Sequence, residues 1–340
     1  MILSKIMHSL YLKIYVCIVT SGTKTHVGIY MLKGGKVKDT HQKVFEGEEL
    51  SATMLSFIHS YISESPFYYI SLLDHSQNQG AVPTCKVDEF LKFNSNDAVK
   101  SLCYDGWSSY SSTADLKKLE KKYTSLGLDF LFSPFSVLEN FFQDKIAMPA
   151  TLYVLIQDAS VSIAVFEHSK LKYAAFVDTL KTHQIENEIL GDDEKNELNF
   201  DDDQLKVNLE SLDVDDNYTD IDDFSNIQDL DSMDEFDDFQ EIKVEDTHTE
   251  KDISKAKDED YSSDFNEEYK RFNAIKDALK VYYTDEKYEN DFIESVYIAT
   301  TCEVGNSLKN YLEEELFLKV YVRQVDIAAE VFDLVKREKI

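Results

Sequence analysis

One pattern of strands occurs twice in the chain, about 140 residues apart, and it limits the folds that the sequence can adopt. The first copy begins at Ile14 and is IYVCIVTSGTKTHVGIYMLKGGKVKDTHQKVFEG. The second begins at Leu152 and is LYVLIQDASVSIAVFEHSKLKYAAFVDT. Each copy contains a strand, a short loop, a second strand, a turn and a third strand. The topology repeats while the residues do not, which predicts two similar lobes.

Helical spacing follows the strands of each copy. Apolar residues recur every three to four positions after the first copy, at Leu50, Met54, Ile58 and Tyr61. They recur in the same way after the second copy, at Tyr269, Phe272, Ile275, Leu279 and Tyr282. Strands followed by helices, twice over, are typical of an α/β protein. We therefore expect one lobe over residues 1–150 and another over residues 151–340.

Most of the charge lies in one segment of the chain. The formal net charge is −30, and residues 186–260, here called the acidic segment, hold 30 Asp and Glu against 6 Lys, which gives −24. Such a composition buries too little apolar surface to offset the entropy lost on ordering. The sequence therefore predicts a disordered acidic insertion in the second lobe, over residues 184–262. The acidic balance also argues against nucleic acid as a partner.

Three phenylalanines stand among the carboxylates of the acidic segment. Phe224 lies in IDDFSNI, and Phe236 and Phe239 lie in SMDEFDDFQEI. One interpretation is a solvated tether in which the aromatic residues are incidental. The other is a short acidic and aromatic motif that docks on a basic surface of a partner protein and folds there.

Cysteine usage and hydropathy bear on the compartment. The four cysteines follow neither a metal-site spacing nor a CxxC motif, and they are Cys17, Cys85, Cys103 and Cys302. We expect buried free thiols in a reducing compartment. The apolar start of the chain is short and contains lysines, which favours a cytosolic first strand over a signal peptide, with Met1 or Met7 as the start. No stretch of about 20 apolar residues occurs, so we expect no membrane span.

Three stretches of the chain resemble segments of one known family. VTSGTKTHVGIYMLKGGKV resembles its first phosphate hairpin, LEKKYTSLGLDFLFSPFSVLENFF resembles the segment leading into its interlobe helix, and VYIATTCEVGNSLKNYLEEELFLKVYV resembles its adenosine side. The family is that of the PilM-type cytoplasmic proteins of type IV pilus machines, to which the cytoplasmic domain of GspL proteins of type II secretion is similar. The resemblance implies the actin-like (ASKHA) fold, with two RNase H-like lobes and a small subdomain inserted in the first lobe at about residues 74–131.

The nucleotide-binding residues of that fold are replaced at three places. The first loop usually reads Asp-x-Gly and here reads Thr20-Ser21-Gly22, which removes a carboxylate from the magnesium shell. The second phosphate loop keeps Asp158 but has no glycine, so its backbone amides approach phosphate less closely. Near the adenosine, Thr300-Thr301-Cys302 replace a run of glycines. These losses predict a protein without catalysis, cofactor or bound metal, and the alternative is an active actin-like ATPase with a divergent site.

The resemblance also implies a partner. Members of the family bind the short cytoplasmic tail of a single-pass, PilN-like membrane protein in a groove beside the small subdomain. Trp107 and Tyr110, in the polar stretch DGWSSYSS, either fill the core of that subdomain or line the groove. The implied function is a cytosolic scaffold at the inner membrane, in a pilus, secretion, DNA-uptake or flagellar-motor accessory assembly. A soluble adaptor that acts through the acidic segment is the third hypothesis.

Overall fold

Two five-stranded sheets form the centre of the protein, in a computed structural model that describes residues 11–94, 98–179, 258–302 and 305–338. The strands of the first sheet are β1 (Lys13–Ser21), β2 (Lys24–Lys33), β3 (Lys36–Glu46), β4 (Phe67–Leu73) and β8 (Phe130–Phe132). Their spatial order is β3-β2-β1-β4-β8, and β2 runs antiparallel to both of its neighbours. β4 runs parallel to β1, and β8 runs parallel to β4.

The second sheet repeats this arrangement. Its strands are β9 (Thr151–Ile156), β10 (Ser160–Glu167), β11 (Lys170–Asp178), β12 (Ser295–Thr300) and β13 (Lys319–Gln324). The spatial order is β11-β10-β9-β12-β13, with β10 antiparallel to both neighbours and β12 parallel to β9 and β13. The mixed α/β architecture that the sequence repeat predicted is confirmed.

A small antiparallel sheet is inserted between β4 and β8, within residues 74–131. Its strands are β5 (Gln79–Val82), β6 (Val99–Cys103) and β7 (Ser108–Ser112), in the order β5-β7-β6. Two helices belong to the same stretch of chain, namely α2 (Val87–Phe93) and α3 (Thr113–Lys122). The buried side chains of α3 and of the turn after it join the core under the first sheet, so this helix packs on the first lobe.

Two of the helices, here called the crossing helices, each pack against the sheet that belongs to the other half of the chain. The remaining helices are α1 (Ala52–Ile62), α4 (Pro134–Phe141), α5 (Asp258–Thr284), α6 (Asn306–Glu314) and α7 (Ile327–Arg337). α4 follows the last strand of the first sheet but packs against β9 and β10, whereas α7 follows the last strand of the second sheet but packs against β1, β2 and β4. The predicted boundary at residue 150 therefore separates the sheets but not these two helices.

Local signals fix where the crossing helices begin. Ser133 precedes α4, and its Oγ accepts a hydrogen bond from the amide of Phe135 (3.3 Å), with Pro134 in the first turn. Asp326 precedes α7, and its Oδ1 accepts from the amide of Ala329 (3.0 Å). Each side chain satisfies an amide that the first turn of a helix leaves without a partner. The start of each crossing helix is thus fixed at the junction of the two sheets.

The free-thiol prediction is wrong for two of the four cysteines. Cys85 and Cys103 form a disulfide across the small sheet, with their Cα atoms 5.4 Å apart. The pairing of β7 with both β5 and β6 brings together two residues that are 18 apart in sequence, which spacing alone does not show. Cys17 and Cys302 are free, and burial raises the pKa of the Cys17 thiol to about 12, so this thiol stays protonated and unreactive.

The disordered insertion over residues 184–262 stays a prediction, and it overlaps the described residues only at its C-terminal end. α5 begins at Asp258, so residues 258–262 are helical. Residues 184–257, including Phe224, Phe236 and Phe239, lie outside the described residues. Within the described ranges, no helix combines the length and apolarity needed to cross a membrane.

Candidate functional site

The three segments that the sequence analysis singled out meet in the structure. Thr20–Gly22 lies at the end of β1, Gln157–Ser160 joins β9 to β10, and Thr300–Cys302 begins at the last residue of β12. β9 and β12 are parallel, so their carboxyl ends lie at one edge of the second sheet. The β1–β2 turn of the first sheet lies against this edge. The structure thus brings the predicted phosphate and adenosine positions into one junction between the lobes.

The two hairpin turns at this junction touch each other directly. The Ser21 Oγ accepts a hydrogen bond from the amide of Asp158 (3.1 Å). Gly22 has a φ of +57°, and a Cβ added to it would lie 3.4 Å from the Cβ of Ala159 and 3.6 Å from that of Asp158. An amide that could donate to a phosphate is thus bonded to the opposite turn. The two turns are thus in contact at this point, with room for about one methyl group beside Gly22.

The third segment, Thr300–Cys302, is held by hydrogen bonds within the protein. The buried Thr300 hydroxyl accepts from the amide of Cys302 (3.2 Å) and donates to the carbonyl of Cys302 (2.8 Å). The amide of Thr301 donates to the carbonyl of Ile156 (3.2 Å), and that of Val325 donates to Thr300 (2.9 Å). These three backbone amides are satisfied within the protein, so they are not available to a nucleotide.

Asp158 is not part of a metal-binding cluster among the described residues. Asp158, the one acidic residue retained from the two phosphate loops, is exposed. Among the described residues, no three His, Cys, Asp or Glu side chains lie close enough together to hold a metal ion. The residues present therefore do not form the carboxylate shell that Mg²⁺ prefers.

A cavity of about 470 Å³ lies at this junction, where Ser21, Gln157 and Thr301 line it together with residues of β2, β3 and the start of α7. Side chains from both lobes line it, including those of His26, Gln42, Val44, Gln157, Asp326 and Ala328. The amide of Gln42 donates to the Oδ2 of Asp326 (2.7 Å), which links β3 to the start of α7. Because Asp326 already caps α7, the helix terminus is not available to an anion.

A smaller groove of about 150 Å³ lies between the small sheet and the first sheet. It is lined by Lys100, Leu102, Tyr110, Leu116, Leu131 and Phe132. β6 and β8 border it, and each lies at the edge of its sheet. Leu102 is 56% exposed, although it is apolar. The groove therefore combines strand edges with an apolar surface.

The structure decides between the two alternatives for Trp107. Its side chain is 0% exposed, stacks on Tyr104 with ring centroids 4.3 Å apart, and meets Phe166 of the second sheet edge to face. Trp107 is therefore a core residue, and its assignment to the partner-binding groove is wrong. Its neighbours come from the second lobe as well as the small sheet, which the polar sequence around it did not indicate. Tyr110 does line the groove and is half-buried, with its ring over Gly80.

Two carboxyl groups on the crossing helices are half-buried, and no sequence pattern predicted their burial. Glu139 on α4 accepts a hydrogen bond from the indole of Trp107 (3.3 Å), and Glu330 on α7 accepts one from the amide of Asn140. Desolvation raises the pKa of both carboxyl groups above the usual value. Ionisation of these two carboxyl groups therefore lowers the free energy of unfolding.

Replacing Glu330 by glutamine is expected to stabilise the protein, more so near pH 7 than near pH 4. Folded Glu330 holds its proton more tightly than the unfolded residue, so the free energy of unfolding falls as the pH rises from about 4.3 through the raised pKa. Glutamine removes this loss. It can still accept from Asn140 and can donate to Asn140 Oδ1, which has no partner within the described ranges.

Urea denaturation of both proteins across this pH range measures the effect. Glu313→Gln is the control, because Glu313 lies on the surface of α6 in an ion pair with Lys309. Parallel pH profiles for wild type and Glu330→Gln would contradict the prediction.

Comparison with solved structures gives likenesses at low identity. A PilM–PilN type IV pilus biogenesis complex is similar over 94% of this chain and 89% of that chain, with 8% identity and a TM-score of 0.49. A Bacteroides thetaiotaomicron protein with an actin-like ATPase fold and unknown function is similar over 96% of both chains, with 10% identity and a TM-score of 0.42. The ethanolamine utilization protein EutJ from Carboxydothermus hydrogenoformans is similar over 92% of this chain and 84% of that chain, with 9% identity and a TM-score of 0.34.

Comparison with sequences gives two family matches. Curated proteins contain no match to the chain. The family model described as Domain of unknown function (DUF8569) matches residues 11–139, which include the first sheet and the small sheet. The family model described as Domain of unknown function (DUF8341) matches residues 152–339, more than half of the chain. The chain therefore belongs to the family described as Domain of unknown function (DUF8341).

Proposed function

We propose that this chain is a non-catalytic scaffold with an actin-like fold, which holds a peptide of a membrane partner beside its small sheet. Its two sheets of equal strand order, joined by helices that cross between them, support the two RNase H-like lobes of that fold. The contact between the turns after β1 and β9 supports the absence of catalysis, and it is the observation that carries the proposal.

ATP binding and hydrolysis depend on backbone donors and metal ligands that are engaged or missing at this contact. Phosphate binding between two hairpin turns requires free backbone donors and room for the anion. Here Asp158 donates its amide to Ser21, and Gly22 lies against Ala159. A magnesium ion requires several oxygen ligands, and the replacement of the first-loop aspartate by Thr20 removes one of them. Both requirements have to be met for ATP hydrolysis, so the engaged amide and the missing aspartate support a non-catalytic role.

The full chain is therefore expected to bind no Mg-ATP at tens of micromolar. Calorimetric titration measures binding directly. Thermal unfolding with about 1 mM Mg-ATP is an independent check, because a ligand at about 100 times its Kd would raise stability by about 2.7 kcal/mol. A saturable isotherm, or a clear rise in the melting temperature, would contradict the proposal and favour the divergent ATPase instead.

The groove beside the small sheet supports a peptide as the ligand. An extended peptide can add to the edge of β6 or β8, which gains main-chain hydrogen bonds, while a few side chains enter the groove. Leu102 and Leu116 offer apolar contacts, and Lys100 offers a positive charge at the rim. The family resemblance of the sequence supports a PilN-like cytoplasmic tail as this peptide. We place the protein in the cytosol, at the inner membrane of a pilus, secretion, DNA-uptake or flagellar-motor assembly.

Two variants with a matched change test the groove. Leu102 and Val87 are both apolar and exposed (56% and 80%), but only Leu102 lines the groove. Full-length protein is used to capture partners from detergent-solubilised inner membranes. Wild type and Val87→Glu are expected to recover the same single-pass protein, and Leu102→Glu is expected to lose it.

Titration with a synthetic peptide of the recovered protein's cytosolic tail then gives the affinity. Loss of an anchor contact of about 2 kcal/mol corresponds to a roughly thirtyfold weaker Kd for Leu102→Glu. Neither surface change should alter the melting temperature. Recovery of no membrane protein, or equal binding to both variants, would contradict the scaffold function.

A further inference from the structure

Strand β3 is an edge strand that is exposed along almost its whole length. It has 11 residues, of which Phe45 alone is buried, and among the described residues it pairs with β2 only. Its apolar residues Val37 and Val44 are 48% and 49% exposed. A long exposed edge of this kind offers unpaired amides and carbonyls to another strand.

The hairpin that contains β3 is basic, in contrast with the rest of the protein. Residues 24–46 hold five lysines against Asp39 and Glu46, a net charge of +3, whereas all residues outside the acidic segment together carry −6. Three of these lysines, Lys36, Lys38 and Lys43, are exposed on β3 itself. Asp39 is engaged locally, by His41 (3.1 Å) and by the amide of Thr40 (2.9 Å). The edge therefore favours an acidic strand and repels a second copy of itself.

The cavity of about 470 Å³ adjoins this edge on the side that faces the second lobe. Gln42 and Val44 of β3 line it, opposite Val325 and Ala328. A strand lying along β3 could therefore place an apolar side chain in the cavity while its neighbours face the lysines.

The acidic segment leaves the described structure close to this hairpin. The amide of Thr179 donates to the carbonyl of Ala159 (3.0 Å), and Ala159 lies against Gly22 in the β1–β2 turn. Phe224 is 45 residues further along the chain, which is enough to span up to about 150 Å. β3 is therefore within reach of the acidic segment of the same molecule.

We propose that the acidic segment binds the edge of β3 in the same molecule, as an added strand whose carboxylates face the lysines and whose phenylalanines supply the residue for the cavity. Three features of the structure support this occupant: the opposite charge, the point at which the segment leaves, and the exposed apolar residues of β3. A tethered partner also has a high local concentration, so it binds an edge of modest affinity. The proposal does not depend on the peptide groove, which lies at β6 and β8.

Hydrogen exchange of the full-length protein tests the proposal with two charge-matched variants. Lys36→Glu/Lys38→Glu reverses two charges on β3, and Lys117→Glu/Lys121→Glu reverses two exposed charges on α3. Backbone amides of β3 are expected to exchange roughly tenfold faster in the first variant than in wild type, and unchanged in the second. About 0.5 M salt should have the same effect on wild type as the first variant, because it screens the lysines.

Carbodiimide cross-linking with mass spectrometry identifies the occupant. Cross-links are expected between the β3 lysines and residues 186–257, within single molecules and with a yield independent of protein concentration. Three results would overturn the proposal: β3 amides that exchange equally in wild type and in Lys36→Glu/Lys38→Glu, cross-links spread evenly over all exposed lysines, or cross-links that form only between molecules. If the first variant fails to fold, the salt arm and the cross-links of wild type decide the outcome.

Discussion

Replacing Trp107 by alanine is expected to lower the free energy of unfolding by about 3–5 kcal/mol. The side chain is fully buried, and it packs on Tyr104 of the small sheet and on Phe166 of the second sheet. Its removal leaves a cavity at the point where the small sheet meets the second lobe, and it leaves Glu139 without its indole donor. Urea denaturation of the full-length variant and wild type measures the difference.

Trp107→Phe separates the two contributions of this residue. Phenylalanine keeps an aromatic ring against Tyr104 but cannot donate to Glu139, so a smaller loss of about 1–3 kcal/mol is expected. A loss below about 1 kcal/mol for Trp107→Ala would contradict the core assignment. Capture of the membrane partner should survive Trp107→Phe, because Trp107 does not line the groove.

Removing the disulfide, as Cys85→Ser/Cys103→Ser, is expected to cost about 3 kcal/mol. The bridge joins residues 18 apart, and opening it returns that loop's conformational freedom to the unfolded chain. Thermal and urea unfolding of wild type with and without a reductant measure the same quantity, and reduced wild type should match the variant. A reducing cytosol would keep Cys85 and Cys103 as two thiols. The free energy of unfolding measured with reductant is therefore the one that applies in that compartment.

Cys302→Ser is the control for the disulfide prediction, because Cys302 is a free and partly exposed thiol. It should change stability little, and its response to the reductant should equal that of wild type. If oxidised and reduced wild type unfold at the same urea concentration, the bridge makes no contribution and the prediction is wrong.

The strand pattern predicted the sheets because it is a local property of the chain. Alternation from Ile14 to Ile18 is enough to specify a strand, and Gly34-Gly35, both with positive φ, are enough to specify the hairpin turn after β2. The same alternation returns at Leu152, so the second sheet follows from the same signal. The three altered loops were grouped by the family resemblance, which implies that they belong to one nucleotide site.

The rest of the site depends on contacts between distant residues. Nothing near Trp107 in the sequence shows that Phe166 will cover it, and nothing near Ser21 shows that Asp158 will donate to its hydroxyl. The raised pKa of Glu330 likewise results from burial, on a helix that packs against α4, about 190 residues earlier in the chain. Such properties emerge only when the lobes are placed against each other, which local periodicity does not specify.

The exchange of α4 and α7 between the sheets has a consequence for how the chain can be divided. A cut near residue 150 would yield two fragments, each carrying a helix whose apolar face belongs on the other fragment's sheet. The first fragment would lack Phe332, which stacks on Tyr30 with ring centroids 4.2 Å apart. Neither fragment would therefore close its own core, whereas the two mixed together would cover each other reciprocally. The chain can thus be divided into two sheets in space, but its halves are complementary parts rather than independent modules.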